Sequence, residues 1–220
     1  MLPQNLTQIK SQIALACSQS NRKVDDIKIL AATKTIAVAT INQLPNLGLN
    51  LVGENRVQEL LAKYDHTSGL EWHFIGHLQT NKVKYIIEKV SLIHSCDRKS
   101  LVDELQRQSE KYGKITNILI EINAGDETAK SGVTFSDIDP LYNYIKEKPN
   151  LKMIGFMPVM PICASEELYI KAHETFKTYA KKDKNITILS MGMSDDFTLA
   201  IKHGSTIVRL GSCLFGKREM

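Results

Sequence analysis

Residues 26–44 read DIKILAATKTIAVATINQL, and this stretch sets a pattern that recurs along the whole 220-residue chain. The apolar run Ile27–Thr33 predicts a buried strand, and the periodicity of Ala37–Leu44 predicts a helix. Between them stands Lys34. Because burying an unpaired lysine is costly, its place at the end of a strand raises the question of what uses its amine.

The same alternation of strand and helix continues to the C-terminal end of the sequence. The predicted strands are Ile27–Thr33, Leu49–Gly53, Trp72–Ile75, Leu92–Ser95, Ile115–Ile122, Leu151–Phe156, Ile186–Ser190 and Thr206–Leu210. The predicted helices are Leu6–Cys17, Ala37–Leu44, Arg56–Tyr64, Asn81–Lys89, Arg98–Tyr112, Asp137–Lys148, Glu166–Lys182 and Asp195–Lys202.

Strict alternation of this kind predicts parallel strands that are joined by right-handed crossovers. Eight repeats without a linker favour an α/β fold of one domain over residues 1–220. That domain is a single (β/α)8 TIM-type barrel with an extra N-terminal helix. An open doubly wound sheet is the alternative. Against it, no G-x-G-x-x-G follows the first strand, and no phosphate-binding G-x-x-x-x-G-K occurs.

Composition excludes several classes of function. The net charge is only +4, and no basic stripe interleaved with aromatic residues suggests nucleic-acid binding. The four cysteines are widely spaced, which predicts neither a disulfide framework nor a metal site. The N-terminal residues are polar, and the apolar run Met153–Ala164 is too short to cross a bilayer and contains two prolines. We therefore expect a soluble cytoplasmic protein that contacts no membrane.

Polar residues gather where the predicted strands end, which is the edge of a barrel that carries its chemistry. Residue alternation predicts that Leu119, Glu121 and Asn123 point into the barrel, while the isoleucines between them face the helices. The same count turns Lys34 and Arg209 inward. Charged residues inside one barrel either form a structural ion network or bind a ligand, and the count alone leaves both open.

The last two predicted strands are followed by loops suited to a phosphate group. In SMGMSDD, Gly192 permits close backbone approach and Ser194 is a suitable N-cap for the following helix. The sequence RLGSCLFG adds Gly211 and the hydroxyl of Ser212. Barrels often bind phosphate with these two loops, through backbone N–H groups and a helix N-terminus.

An amine and a phosphate pocket at one barrel mouth together suggest pyridoxal 5'-phosphate (PLP), which carries both an aldehyde and a phosphate. Desolvation of Lys34 beside the cation of Arg209 would leave a free amine that attacks the aldehyde and forms a Schiff base. A sugar-phosphate aldolase that uses the same lysine is an alternative. It predicts a colourless protein, whereas the Schiff base of PLP absorbs visible light.

Six motifs resemble the pyridoxal phosphate homeostasis protein family, whose members are single-domain relatives of the alanine racemase N-terminal barrel. These motifs span residues 28–219 in the expected order: TKT, GENRVQEL, WHFIGHLQTNK, INAGDETAKSG, SMGMSDD and VRLGSCLFGKRE. The resemblance implies a PLP-binding barrel in which Lys34 forms the Schiff base. It also implies that Ser194, Gly211 and Ser212 hold the phosphate, together with the backbone of Met193.

The resemblance also assigns positions near the cofactor to two further residues. Arg209 matches an arginine that faces the pyridine nitrogen, where a cation disfavours ring protonation and weakens the cofactor as an electron sink. Asn55 matches an asparagine close to the cofactor, and it is given no defined role. Members often have a lysine and a proline soon after the Schiff-base lysine, whereas TIAVAT follows here. The resemblance implies no catalytic residue and no metal ligand.

Two functions follow from the resemblance, and we favour a non-catalytic carrier that buffers PLP for vitamin B6 homeostasis. The alternative is a PLP-dependent amino-acid racemase with weak activity. Related racemases take a second acid/base, a tyrosine, from another domain, which we do not expect here, and all seven tyrosines fall on predicted helices. Whether the protein is an enzyme is therefore left open. We expect a monomer whose partners are PLP and apo-enzymes that receive it.

Two remaining motifs are expected to play no part in ligand binding. His73 and His77 straddle a strand end and lack the H-E-x-x-H pattern, so they are not expected to bind zinc. Glu59 is expected on an exposed helix surface.

Overall fold

Eight parallel strands form the centre of the protein in a computed structural model that describes residues 1–128 and 130–216. All eight predicted strands are present, with ends that differ by a few residues. The strands are β1 Lys28–Ala32, β2 Leu51–Glu54, β3 Glu71–Phe74, β4 Leu92–Cys96, β5 Thr116–Asn123, β6 Leu151–Val159, β7 Ile188–Leu189 and β8 Ile207–Leu210. Ala129 and residues 217–220 lie outside the described residues. Ala129 and residues 217–219 belong to two of the quoted motifs.

The sheet follows the order β7-β6-β5-β4-β3-β2-β1-β8, so neighbours in sequence are neighbours in space, apart from β7 and β8 at its two ends. An isolated parallel bridge between Ser190 and Ile207 brings those ends together. Thr206 N donates to Leu189 O at 2.8 Å and Met191 N donates to Ile207 O at 3.0 Å. The barrel prediction is thereby confirmed, and the open-sheet alternative is wrong.

Helices surround the barrel between successive strands, and one precedes β1 as predicted. They are α1 Leu2–Gln19, α2 Val38–Ile41, α3 Val57–Tyr64, α4 Val83–Ile86, α5 Lys99–Lys111, α6 Ile138–Lys146, α7 Glu166–Lys182, α8 Phe197–Lys202 and α9 Ser212–Phe215. Helix α1 starts earlier than predicted because a proline is tolerated in a first helical turn. In residues 1–128 and 130–216, no helix has the length and apolarity needed to cross a membrane.

Apolar side chains fill two layers, as the residue alternation predicts. Ile118, Ile120 and Ile122 belong to the large outer core between strands and helices. Leu119 instead packs with Leu92 and Met157 in a small inner cluster, and Leu30, Leu51 and Ile207 form another such cluster. The barrel interior is therefore packed, and its polar residues lie above or between these clusters.

Candidate functional site

A cavity of about 420 Å³ opens at the C-terminal ends of the strands, within the size range of small-molecule sites. The seven residues predicted to bind a cofactor all line it: Lys34, Asn55, Met193, Ser194, Arg209, Gly211 and Ser212. These residues come from loops and strand ends that are far apart in sequence. The barrel brings them together because every parallel strand ends at the same rim.

Lys34 lies in a turn just beyond β1, and its side chain is exposed. Ile36 N donates to Thr33 O at 2.9 Å, which closes the turn around Lys34 and Thr35. The prediction of a desolvated lysine is wrong, because β1 ends at Ala32 and Lys34 stands at the open mouth rather than inside the packed barrel.

Side chains of helix α3 support this turn through hydrogen bonds. Thr35 N donates to Glu59 Oε2 at 2.8 Å, and Lys63 Nζ donates to the same oxygen at 3.0 Å. Lys63 Nζ also donates to Glu54 Oε1 at 2.5 Å. The prediction that Glu59 lies on an exposed helix surface is wrong, since its side chain is only 24% exposed and its carboxylate binds the backbone next to Lys34. The sequence signal for this arrangement is the spacing of Glu59 and Lys63, which are four residues apart and therefore lie on one face of the helix.

Arg209 places a cation in the wall of the cavity. It is buried on β8, and its Nη1 donates to Ser190 O at 2.6 Å and to Ser190 Oγ at 3.1 Å. Burial lowers its pKa to about 10, although the carboxylates of Asp196 and Glu121 oppose this shift. The guanidinium therefore stays charged at neutral pH and is fixed in direction.

A chain of buried polar groups runs from Arg209 through the barrel interior. Ser190 Oγ lies 3.1 Å from His94 Nδ1, and His94 Nε2 lies 2.9 Å from His73 Nδ1. His73 Nε2 then reaches Glu71 Oε1 at 3.2 Å, at the opposite end of the barrel. Burial lowers the pKa of both histidines. Sequence reasoning missed His94, because one histidine in an apolar strand carries no motif.

His73 and His77 do not form a common site. The ring of His73 faces His94, whereas Nδ1 of His77 lies 3.5 Å from Asp97 Oδ2. Among the described residues, no cluster of three or more histidine, cysteine or acidic side chains could hold a metal ion.

Two hydrogen-bond acceptors in the cavity wall have no partner among the described residues. Glu121 is 4% exposed; its Oε1 accepts from Ser131 Oγ at 2.6 Å, while its Oε2 is buried and unpaired. Asn55 Oδ1 is buried and unpaired as well. Burial raises the pKa of Glu121, and the positive charge of Arg209 opposes that rise. Unpaired buried acceptors are uncommon and favour a ligand that supplies donors.

The loops after β7 and β8 meet at Ser194. Its Oγ accepts hydrogen bonds from Gly211 N at 3.3 Å and from Cys213 N at 3.2 Å. Ser194 was predicted to cap a helix, and that prediction is wrong: α8 begins at Phe197 with Asp196 as its N-cap residue. The hydroxyl instead occupies a place where backbone N–H groups converge, and such groups also bind anions.

The two glycines of these loops serve different purposes. Gly192 has a φ of +97°, and a Cβ there would lie 2.6 Å from Ala200 Cβ, so glycine lets α8 pack closely. A Cβ on Gly211 would meet only Ala32, at 3.7 Å. No close contact excludes a side chain at position 211, and a side chain there would take up cavity space. The groups present therefore suit the phosphate of PLP.

A negative charge near Ser194 and Gly211 is already held by hydrogen bonds. Asp196 accepts hydrogen bonds from the hydroxyl of Tyr169 at 2.6 Å and from Met193 N at 2.5 Å. These bonds turn the carboxylate toward α7 and its own loop rather than toward Gly211.

A parallel barrel with a lysine after its first strand and loops containing glycine and serine after its last two strands is typical of one class of proteins, the alanine racemase N-terminal barrels. The family model described as alanine racemase, N-terminal domain, matches residues 5–219. An alanine racemase from Clostridium difficile 630 superposes on the whole chain with a TM-score of 0.77, covering 57% of the racemase. At 15% identity, this likeness shows the fold alone.

Within that class, the chain belongs to the pyridoxal phosphate homeostasis protein family, as the six motifs predict. The member from Aquifex aeolicus is 42% identical, with 98% of each chain covered. The member from Escherichia coli K12 is 36% identical, with 98% of this chain and 96% of that protein covered. The structure of PipY from Synechococcus elongatus PCC7942 with PLP bound has a TM-score of 0.84 at 25% identity, covering 98% of this chain and all of PipY.

Proposed function

We propose that this protein binds PLP at the barrel mouth and buffers it as a Schiff base with Lys34, contributing to vitamin B6 homeostasis. Residues 1–220 act as one cofactor-binding domain in this proposal. The observation that carries it is one cavity that is lined both by Lys34 and by Ser194, Gly211 and Ser212, which together are called the anion cradle. The PLP-bound structure of PipY, which covers nearly the whole chain, supports the same ligand.

Each wall residue has a distinct task toward the cofactor. When bound, PLP supplies an aldehyde that an amine can capture reversibly and a phosphate that backbone N–H groups can hold. Lys34 provides the amine. The hydroxyl of Ser194, whose oxygen accepts the N–H groups of Gly211 and Cys213, donates its proton to the anion, and the backbone of Gly211 and Ser212 lies beside it. The backbone of Met193 completes this side. Asn55 offers its unpaired amide oxygen to a donor on the ligand.

Two observations favour a carrier over a racemase. Arg209 keeps its charge and its direction, and a fixed cation beside a pyridine nitrogen disfavours protonation of that nitrogen. Among the described residues, no tyrosine lines the cavity, and the hydroxyl of Tyr169, on α7, is held by Asp196. The described part of the chain thus presents no tyrosine there to act as a second acid/base.

The decisive experiment combines an absorption spectrum with mapping of a reduced adduct. Wild-type protein incubated with PLP should absorb visible light, and borohydride should fix one pyridoxyl group on Lys34. Lys34→Ala should lose both signals, whereas the matched variant Lys82→Ala should keep them. A colourless protein, or an adduct on another lysine, would overturn the proposed site.

A parallel assay distinguishes the carrier from the racemase. Conversion of D- to L-alanine by the PLP-loaded protein should stay near the rate of free PLP. Turnover at an enzyme-like rate that Lys34→Ala abolishes would overturn the carrier function.

We further propose that the protein is a cytoplasmic monomer that delivers PLP to apo-enzymes. Sedimentation velocity of the loaded protein should give a mass near 24.7 kDa. Mixing the loaded protein with a PLP-dependent apo-enzyme should transfer the chromophore, and a dimeric mass or an unchanged apo-enzyme would contradict the respective part.

A further inference from the structure

We propose that Glu59, held by Lys63, is a positioning residue that keeps the Lys34 turn in a strained conformation and so sets how fast Lys34 reacts with an aldehyde ligand. This inference rests on the proposed role of Lys34. Lys63 also binds Glu54 and Thr33, and the four residues Thr33, Glu54, Glu59 and Lys63 are called the turn clamp below.

The strain lies at Thr35, directly after the lysine. Its φ is +65°, a region that β-branched residues rarely adopt. A turn that needs positive φ at its third residue normally has glycine or asparagine there. Strain of this kind persists only where surrounding contacts impose it, and it is concentrated at functional sites.

Two hydrogen bonds at Thr35 favour this conformation, in addition to the bond from Ile36 N to Thr33 O that closes the turn. Glu59 Oε2 accepts the Thr35 N–H at 2.8 Å, and the Thr35 hydroxyl donates to Lys34 O at 2.6 Å. Losing the first of these bonds would leave Thr35 free to relax to negative φ. Because Lys34 precedes Thr35 in the same turn, such relaxation would redirect its side chain.

The ammonium of Lys63 holds the carboxylate of Glu59 in place. This ammonium has three donors, and it binds Thr33 O at 2.9 Å, Glu54 Oε1 at 2.5 Å and Glu59 Oε2 at 3.0 Å. Lys63 is 8% exposed and Glu54 is fully buried. A buried ion pair adds little stability over apolar packing, but a fully satisfied polar network rigidifies one arrangement.

The turn clamp also reaches the second strand end of the cavity. Glu54 Oε1 accepts from Thr33 Oγ1 at 2.9 Å, and its Oε2 accepts from Asn55 N at 3.2 Å. One buried carboxylate therefore ties the Lys34 turn to Asn55. Both lie in the cavity wall.

The reaction that this positioning affects is a simple condensation. The neutral amine of Lys34 forms a C=N bond to the aldehyde carbon and gives up its two protons, with which the aldehyde oxygen leaves as water; hydrolysis reverses the step without any oxidant or reductant. Holding the amine in a productive direction lowers the entropic cost of attack. A loosened turn should therefore slow the condensation.

Two substitutions of Glu59 separate positioning from packing. Glu59→Met keeps the length and helix propensity of the side chain but removes the acceptor for the Thr35 N–H. Glu59→Gln keeps an oxygen at that place. Glu104→Met, which breaks a pair with Arg107 on α5, serves as the matched control. Stopped-flow mixing with PLP, followed by borohydride trapping, gives the rate of adduct formation.

We expect Glu59→Met to slow the condensation about tenfold, since small misplacements of reacting groups have effects of that order. Glu59→Gln should stay within about threefold of wild type, and Glu104→Met should be unchanged. Amide hydrogen exchange of the ligand-free protein gives an independent measure. Protection of the Thr35 amide should fall in Glu59→Met alone, without a change in the global unfolding midpoint beyond that of the control.

Thr35→Gly provides a second test that does not depend on the stability of α3. Glycine adopts positive φ without steric cost, so Thr35→Gly should recover part of the rate in the Glu59→Met background. A wild-type rate in Glu59→Met, or no recovery by glycine, would overturn the positioning role. An adduct that maps away from Lys34 would instead overturn the proposed function, so the two failures are distinguishable.

Discussion

Nδ1 of His73 lies 2.9 Å from Nε2 of His94 in the interior of the barrel. At this distance one ring must donate its N–H to the lone pair of the other, so the two rings cannot both be charged. Burial lowers the pKa of each ring, and the charge of Arg209 adds to the effect on His94. The chain of polar groups beneath the cavity is thus built from neutral imidazoles.

Stability should consequently fall with decreasing pH below about 6.5. In the unfolded chain these histidines titrate near that pH, while in the folded protein their pKa is lower, so the unfolded state binds more protons. The stabilisation is present above 6.5 and is lost below it, by up to about 1.4 kcal/mol per pH unit for each neutral histidine. Urea unfolding at pH 7.5 and 5.5 measures the effect.

His94→Gln is the matched variant for this prediction. Its free energy of unfolding should change less between the two pH values than that of wild type. His173, whose pKa is also lowered by burial, accounts for part of the remaining change. Glu71 does not interfere, because its pKa of about 2 places its titration at lower pH. An unchanged pH dependence in His94→Gln would contradict the assignment.

The two loop glycines should separate stability from ligand binding. Gly192→Ala should lower the free energy of unfolding by at least about 1–3 kcal/mol, because its Cβ would overlap Ala200 and its φ is positive. Gly211→Ala should leave stability within about 0.5 kcal/mol of wild type. Since its methyl group would occupy the anion cradle, PLP affinity should fall about tenfold, which is about 1.4 kcal/mol. Comparable effects of both variants on unfolding would refute this division.

Removing the buried carboxylate of Glu121 should strengthen binding of an anion. We expect Glu121→Gln to bind PLP several-fold more tightly at pH 8, because one negative charge leaves the cavity wall. The advantage should shrink at pH 5.5. Burial raises the pKa of Glu121, so the wild-type residue takes up a proton as the pH falls and then resembles glutamine. Equilibrium titrations at both pH values, with Glu104→Gln as a surface control, test this; a constant ratio would count against it.

Breaking the turn clamp at Lys63 should be more costly than breaking a surface pair. Lys63→Met leaves the fully buried carboxylate of Glu54 without its counterion, which typically costs about 3–5 kcal/mol. Lys148→Met breaks a pair with the half-exposed Asp103 and should cost about 1 kcal/mol or less. Urea unfolding at neutral pH compares the two variants. Similar losses would show that Glu54 gains little from Lys63.

The barrel could be predicted because each of its strands is recognisable from the local sequence alone. Short apolar runs at regular spacing mark each strand, and alternation within them gave the inward direction of Glu121 and Arg209 correctly. The sequence also predicted that the site residues lie together, since the topology of a parallel barrel dictates which chain segments share a rim.

The finer geometry of the site depends on contacts that no local pattern encodes. Glu59 reaches a backbone N–H that is 24 residues away in sequence, and only the packing of α3 against the β1 turn reveals it. Ser194 looked like a helix cap, yet the meeting of two loops gave its hydroxyl other partners. The exposure of Lys34 follows from the point at which β1 ends, and strand ends are the least certain part of any sequence-based prediction.

The junction of β7 and β8 is the shortest pairing of the barrel, since β7 has only two residues and the ring closes through one isolated bridge. The loops that extend from these same strands form the anion cradle. A phosphate bound by both loops would link the two strands across the junction. Loading with cofactor would therefore suppress local opening at that point. We expect the empty protein to be cut there by proteases sooner than the loaded one, so that vitamin supply would help to set how long each molecule survives.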